Sequence, residues 1–243
     1  MGIKILILVL RIYHRHLMKT YAVIVAGGQG TRMGTAIPKQ FLPLGGRPVL
    51  YYTIKAFVDA VPGITVVLVL PEEQISYNNM VLQHFEEIPE LIIVAGGASR
   101  YESVRNGLDI VEEEDAIVFV HDGVRPFVSA ALIRNCMDQA REKGSAIPCV
   151  TVTDSMRFCG EDGHKAIDRD KLRIIQTPQT FLAGPLLKAF AQEYRESFTD
   201  EASVMEQSGG EVFLIAGDKY NIKITTPEDL CIGEAILNMT AAK

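Results

Sequence analysis

Apolar positions along this chain alternate between two rhythms. Short, continuous, β-branched runs predict buried strands at Tyr21–Ala26 (YAVIVA), Ile64–Leu70 (ITVVLVL), Leu91–Val94, Ala116–Val120 (AIVFV) and Ser145–Val150. Apolar residues at helical spacing predict helices at Pro48–Ala60, Glu72–His84, Ser99–Val111 and Ser129–Lys143. Local signals punctuate them. Ser99 with Glu102 three residues on has the form of a capping box, and Gly144 ends the fourth helix. Strands alternating with helices of this length predict a mostly parallel, twisted sheet covered by helices on both faces, a Rossmann-like α/β domain.

From Thr151 to Arg173 the rhythm breaks. The segment is polar, holds the turn-forming run Cys159-Gly160-Glu161-Asp162-Gly163, and has short alternating flanks. It predicts a β-hairpin arm projecting from the domain. Helices resume at Gly184–Glu196 and Asp200–Ser208, with a strand at Glu211–Ala216. The last helix starts at Thr226-Pro227-Glu228-Asp229, with a cap, Pro at the first helical position and acids in the first turn. No repeat or linker divides the chain, so residues 19–243 read as one domain carrying an arm at about 151–173.

The first residues stand apart. Ile5–Leu10 is a run of six apolar residues followed by Arg11, His14, Arg15 and His16. That is shorter than the roughly 7–15 residues of a signal-peptide core and far short of a membrane span. Met18 stands directly before the first strand. Residues 1–18 are therefore expected to be an extension outside the fold, with translation starting at Met18; a membrane-surface anchor is the alternative.

Composition narrows the chemistry. With 24 basic and 30 acidic residues the net charge is -6, and the pI is near 5.4. A nucleic-acid-binding surface, which needs a basic stripe, is not expected. Cys136, Cys149, Cys159 and Cys231 form no C-x-x-C pair, and few histidines lie within reach of them. They read as ordinary thiols of a reducing, cytoplasmic compartment rather than metal ligands.

The unusual polar residues follow the strands, at the carboxyl edge where sheets of this kind bind ligands. After the first strand come Ala26-Gly27-Gly28-Gln29-Gly30-Thr31-Arg32-Met33-Gly34 and then Pro38-Lys39-Gln40. Glycines let backbone N–H groups approach phosphate oxygens, and Arg32 and Lys39 supply charge. The loop is no Walker A, and Met33 occupies the third glycine position of a dinucleotide fingerprint. A tight turn needing glycines for backbone reasons alone is the competing explanation. The basic residues that follow favour phosphate.

The GGxGxRM…PKQ pattern resembles the signature of sugar-nucleotidyltransferases. Further along stand His121-Asp122-Gly123-Val124-Arg125-Pro126, Thr153-Asp154-Ser155, Gln176-Thr177-Pro178-Gln179, Thr199-Asp200-Glu201-Ala202-Ser203 and Asn221-Ile222-Lys223-Ile224-Thr225-Thr226-Pro227-Glu228-Asp229. Together they resemble the 2-C-methyl-D-erythritol 4-phosphate cytidylyltransferases of non-mevalonate isoprenoid biosynthesis, from about Tyr21 to the C-terminus. The resemblance implies CMP transfer from CTP with Mg²⁺ or another divalent cation. It assigns Arg32 and Lys39 to transition-state stabilisation, and Arg169, Lys223, Ser155 and Thr199 to the acceptor. It puts Ala26, Gly27, Gly28, Gly30, Gly97, Arg100, Ser103, Asp122 and Gly123 around the nucleotide, with Asp122 on the side of the metal-bound triphosphate. It further implies a homodimer in which the arm enters a second subunit. Ala98 stands where that family often has Asp, Gly123 where Ala is usual, and Arg157 where Lys is frequent.

The chemistry itself needs no general base. The acceptor is a phosphate monoester with a second pKa near 6, already mostly dianionic at neutral pH. His121 next to Asp122 looks like a catalytic pair, but neighbours on a strand face opposite sides, so His121 is expected to be structural. Arg125 is expected to fix the loop through an ion pair. Asp200 and Glu201 are explained by a helix N-terminus capped by Thr199. The rival readings are a ribitol-5-phosphate cytidylyltransferase, a non-catalytic nucleotide-binding module, and a glycosyltransferase. The last lacks an Asp-x-Asp motif after a strand.

Overall fold

Strand β1 (Thr20–Val25) lies near the middle of an eight-stranded sheet in a computed structural model of the chain, which describes residues 18–28 and 37–241. The extension 1–17, Gly30 and Arg32 lie outside the described residues. β1 pairs in parallel with β4 (Thr65–Leu70) on one side and with β6 (Ile117–Asp122) on the other. β5 (Leu91–Ala95) continues the parallel half beyond β4. Short strands β2 (Pro43–Leu44) and β3 (Arg47–Pro48) make a separate small hairpin.

Both faces of β1, β4 and β6 are buried, which is why their sequences run apolar without alternation. Ala22, Ile24, Leu68, Ile117 and Phe119 pack under α1 (Val49–Ala60) and α4 (Ala130–Lys143). Tyr21, Val23, Val67, Val69, Val118 and Val120 face α3 (Arg100–Leu108) and α5 (Ala183–Phe190). α3 comes so close that a Cβ on Gly107 would lie 2.6 Å from a Val23 methyl. The predicted Ser99–Glu102 box and the Gly144 end of α4 (φ 92°) are present, and Ser129 adds a cap that was not predicted, accepting from the Leu132 N–H.

The expected fold class holds: a mostly parallel central sheet between helical layers. Several elements differ from expectation. The helix predicted over Glu72–His84 is a 3-10 turn (Glu72–Tyr77) followed by the short α2 (Asn78–Leu82). Asn78-Asn79 are weak helix formers at its centre. α5 stops at Phe190 rather than Glu196. Its last carbonyls are taken by side chains instead: Tyr101 donates to Phe190 O at 2.9 Å and Gln192 donates to Ala189 O at 2.8 Å. An unexpected strand, β11 (Gln179–Leu182), inserts antiparallel between β6 and β7 (Ser145–Thr151). It is short and follows a proline, so it carries almost no periodic signal. β12 (Leu214–Ala216) pairs in parallel with β7 and is shorter than the Glu211–Ala216 strand expected.

Within 151–173 a hairpin forms from β8 (Met156–Gly160) and β9 (Gly163–Ile167). Its root is the pairing of Thr151 in β7 with Arg173 in β10 (Arg173–Ile175). At the tip Gly163 takes the positive φ of 114°. After the arm come α6 (Glu201–Gln207) and the terminal α7 (Pro227–Ala241). No helix among the described residues is long and apolar enough to cross a membrane.

Candidate active site

β4 and β5 lie on one side of β1 and β6 on the other, so chain order reverses beside β1. A crevice opens at such a point, beyond the carboxyl ends of the strands. Here it is a cleft of about 320 Å³, lined from three directions. Ala26, Gly27 and Gly28 follow β1; Gly97, Ala98, Ser99, Arg100 and Ser103 follow β5; Asp122 ends β6. Val25, Lys39, Gln40, Val124 and Lys223 complete the described lining.

Each loop is braced by its own chemistry. The Gly97 N–H donates to Ser103 Oγ at 3.1 Å, and that hydroxyl donates to Ser99 O at 2.9 Å. The Ser103 hydroxyl is thus used to shape the β5–α3 loop. A Cβ on Gly97 would lie 2.3 Å from Glu102 Cβ, so the loop can fold over the α3 cap only with glycine there. Gln40 donates to Ala26 O and to Gln74 Oε1, both at 2.7 Å, tying the Pro38-Lys39-Gln40 turn to the end of β1. Gly123 sits against Ala26, where a Cβ would come within 2.8 Å of Ala26 Cβ.

Asp122 is the single acid among the described residues of the lining and is surrounded by cations. Lys223 Nζ lies 3.0 Å from Oδ2, Arg125 Nε 3.3 Å from Oδ2, and Arg100 Nη2 3.4 Å from Oδ1. Burial opposes its ionisation, but Arg100, Lys223 and Arg125 outweigh burial and hold the carboxyl well below the usual range. Arg100 has a second partner, Glu201, which accepts from both of its terminal nitrogens. Arg100, Arg125 and Lys223 thus gather around the carboxylates of Asp122 and Glu201, and Lys39 adds a fourth cation to the same region of the cleft. The balance is locally positive in a chain of net charge -6, as an anion site requires.

His121 faces the other side of the sheet, as expected. It is fully buried, its ring 5.0 Å from that of Phe57. The Asp122 N–H donates to Thr177 Oγ1, and that hydroxyl lies 3.0 Å from His121 Nδ1. Nε2 lies 3.2 Å from Arg125 O, which fits a neutral ring protonated at Nε2. Burial pushes its pKa down to about 4. Arg125 also donates to Asn221 O at 2.9 Å, fixing the loop as expected.

Two expectations about α6 change. The cap is Asp200, which accepts from the Ser203 N–H while Ser203 Oγ accepts from the Asp200 N–H. Thr199 is left exposed beside it. Glu201 is no mere first-turn acid, because it is fully buried against Arg100. The Gln176-Thr177-Pro178-Gln179 motif turns out to be a brace. Gln176 donates to Asp218 O at 2.8 Å, and Gln179 bridges Asp200 Oδ2 and the Ala202 N–H, each at 2.8 Å. Glutamine at both ends of that motif was the available signal, but its partners lie in segments distant in sequence.

The structure brings Lys39, Lys223, Arg100, Ser103, Asp122, Ala26, Gly27, Gly28 and Gly97 to one cleft. Gly123 lies behind it, against Ala26. Ser155 and Arg169 are exposed on the arm and outside this lining, with Arg169 donating to the Thr153 carbonyl.

Comparison with known proteins gives a consistent picture. Residues 20–239 match the family model of 2-C-methyl-D-erythritol 4-phosphate cytidylyltransferase. A protein of that name from Bacteroides thetaiotaomicron is 43% identical over 220 residues, covering 90% of this chain and 100% of its own. One from Porphyromonas gingivalis is 46% identical over 220 residues, covering 90% and 98%. Among solved structures, the enzyme of the same name from Thermus thermophilus superposes with a TM-score of 0.72 at 30% identity, covering 91% of this chain and 100% of its own. The 4-diphosphocytidyl-2C-methyl-D-erythritol synthase of Anaerococcus prevotii gives 0.77 at 28% identity, covering 91% and 96%.

Proposed function

As the chain belongs to the 2-C-methyl-D-erythritol 4-phosphate cytidylyltransferase family, a nucleotidyltransferase transferring CMP from CTP in non-mevalonate isoprenoid biosynthesis, we propose that the cleft beside β1 is where that transfer occurs. The observation that carries this is the convergence of Lys39, Arg100 and Lys223 on glycine-rich backbone around one carboxylate.

The acceptor phosphate oxygen attacks the α-phosphorus of CTP in line. A new P–O bond forms as the bond to the bridging oxygen breaks, and pyrophosphate leaves with that electron pair. No proton has to move, because the acceptor is already a dianion. The barrier is the approach of two polyanions, so catalysis rests on positioning and charge neutralisation. Lys39 and Arg32 act on the triphosphate as the pentavalent centre forms. Gly27, Gly28 and Gly30 offer backbone N–H groups, and Gly97, Arg100, Ser103 and Gly123 shape the nucleotide pocket. Lys223 holds the acceptor phosphate, with Thr199 at the rim of α6. Ala98 supplies no carboxylate, so that side of the nucleotide depends on Arg100 and the loop that Ser103 braces.

One carboxylate together with substrate phosphates is a normal way to hold Mg²⁺, and Asp122, an ionised carboxylate at the cleft whose Oδ2 meets the partly exposed Lys223, fits that requirement. When bound, the ion would offset triphosphate charge. The remaining acceptor ligands, Ser155 and Arg169, are taken to come from the arm of a second copy, making a homodimer. The four free thiols suit a cytoplasmic setting.

Pyrophosphate release tests the reading, with each nucleoside triphosphate and each polyol phosphate supplied with Mg²⁺. CTP with 2-C-methyl-D-erythritol 4-phosphate should give the highest kcat/KM. A preference for ribitol 5-phosphate would replace the acceptor, and a preference for UTP would remove the cytidylyl assignment.

A further inference from the structure

We propose that Glu201 is a positioning residue for the nucleotide, its buried carboxylate fixing the Arg100 guanidinium at the wall of the cleft; the inference rests on the assignment of that cleft to CTP. Arg100 opens α3, and a long side chain there would otherwise sample many rotamers over the cleft mouth. Instead both terminal nitrogens donate to Glu201, with Nη2 3.2 Å from Oε2, while Nη2 only reaches Asp122 at 3.4 Å. The two holds are unequal. A two-point pairing fixes the plane of a guanidinium, whereas a single long contact does not. An incoming triphosphate can therefore displace the link to Asp122 and leave Arg100 anchored and aimed by Glu201.

Nothing else in α6 requires Glu201. The helix is already capped by the reciprocal Asp200–Ser203 bonds, and Gln179 braces the turn on both sides. The Glu201 side chain is 1% exposed while that of Arg100 is 33% exposed, so the pair has one end sealed and one end open to the cleft. A buried carboxylate is costly unless it is paired, and replacing such a pair with apolar residues often leaves stability unchanged or improved. Stability alone is thus a weak reason for this acid. Its effect is on where Arg100 points. Glu201 also follows Thr199-Asp200, so the contact ties the nucleotide wall to the rim assigned to the acceptor.

The test uses the full chain, Mg²⁺ and CTP, with the dissociation constant read by calorimetry beside kcat and both KM values. Glu201→Gln keeps length and volume and removes the charge. The CTP Kd and KM should rise about tenfold, the range of a lost charge-assisted bond, with acceptor KM changed less than about twofold. In an Arg100→Ala background the same substitution should change CTP Kd by less than about twofold, because the group it positions is gone. Should Glu201→Gln not fold, Glu201→Asp replaces it, since it retains charge but cannot reach both nitrogens; the same changes are expected. Wild-type affinity in the variant, or a loss that adds fully to that of Arg100→Ala, overturns the proposal. A wild-type protein that binds no CTP overturns the cleft assignment itself.

Discussion

Lys39 and Lys223 bring the same charge to the cleft from different depths. Lys39 is 8% exposed and lies close to Gly28, whereas the side chain of Lys223 is 41% exposed beside Asp122. A buried cation held against the phosphate loop contributes most as charge builds at phosphorus, so Lys39→Ala should lower kcat and kcat/KM together, by roughly 10²–10³, with CTP affinity little changed. Lys223→Ala should chiefly raise KM for the polyol phosphate, with a smaller loss in kcat from a misplaced nucleophile. Steady-state kinetics with both substrates varied separates the two, and a pure CTP-binding defect in Lys39→Ala would refute its role. His121 allows a prediction about stability. Its folded pKa is lowered by burial to about 4, from an ordinary 6.5. Between those values the unfolded chain binds the extra proton, so stability is complete above pH 6.5 and falls as pH drops toward 4, by up to about 3 kcal/mol. Asp122 acts in a lower window, below the ordinary carboxylate pKa of 3.8, because its folded pKa is depressed. Urea unfolding at pH 4.5 and 7 should show a smaller pH dependence in His121→Gln than in wild type. Equal dependence in both would mean that the imidazole is not buried neutral.

The arm behaves differently from the elements of the sheet. An isolated two-stranded hairpin is marginal in water, yet β8 and β9 form a sheet of their own beyond the β7–β10 root and leave Met156 and Phe158 exposed. Docking on a second copy would cover those side chains and carry Arg169 and Ser155 to that copy's cleft. Mixing Arg169→Ala chains with Lys39→Ala chains tests this. In an exchanged dimer one site would lack both residues and the other neither, so each heterodimer should recover about half of wild-type activity, as two-fold symmetry requires. Heterodimers demonstrated by mass but lacking activity would mean that each site is built within one chain. α6 shows the converse behaviour. It is only seven residues long, and its place is set by Gln179, Asp200 and Glu201 reaching other elements rather than by its own periodicity.

At the scale of the whole molecule, the family match begins at residue 20, and the first β1–β4 partners are Tyr21 and Thr65. We expect a chain starting at Met18 to fold and to turn over CTP at a rate within about twofold of the full chain, since residues 1–17 carry no motif. Activity and a thermal melt on the two proteins check this, and loss of either would make the extension part of the working enzyme. What the sequence determined alone was whatever is encoded in neighbours. The runs YAVIVA, ITVVLVL and AIVFV mark strands buried on both faces, Ser99–Glu102 and Gly144 mark helix ends, and Gly27-Gly28 with Lys39 and Asp122 mark the cleft, which Lys223 joins only through the family resemblance. These signals are short-range, because periodicity, capping and glycine turns are completed within a few residues. Only the tertiary structure decided the rest. β11 has four residues and becomes a strand because β6 and β7 leave a slot between them. α5 ends where Tyr101 and Gln192 take its carbonyls. Glu201 is a buried partner rather than a first-turn acid only because the fold brings it against Arg100, 101 residues earlier. A contact across that separation leaves no periodic trace in either segment, since its energy depends on burial and approach that do not exist until the sheet has formed.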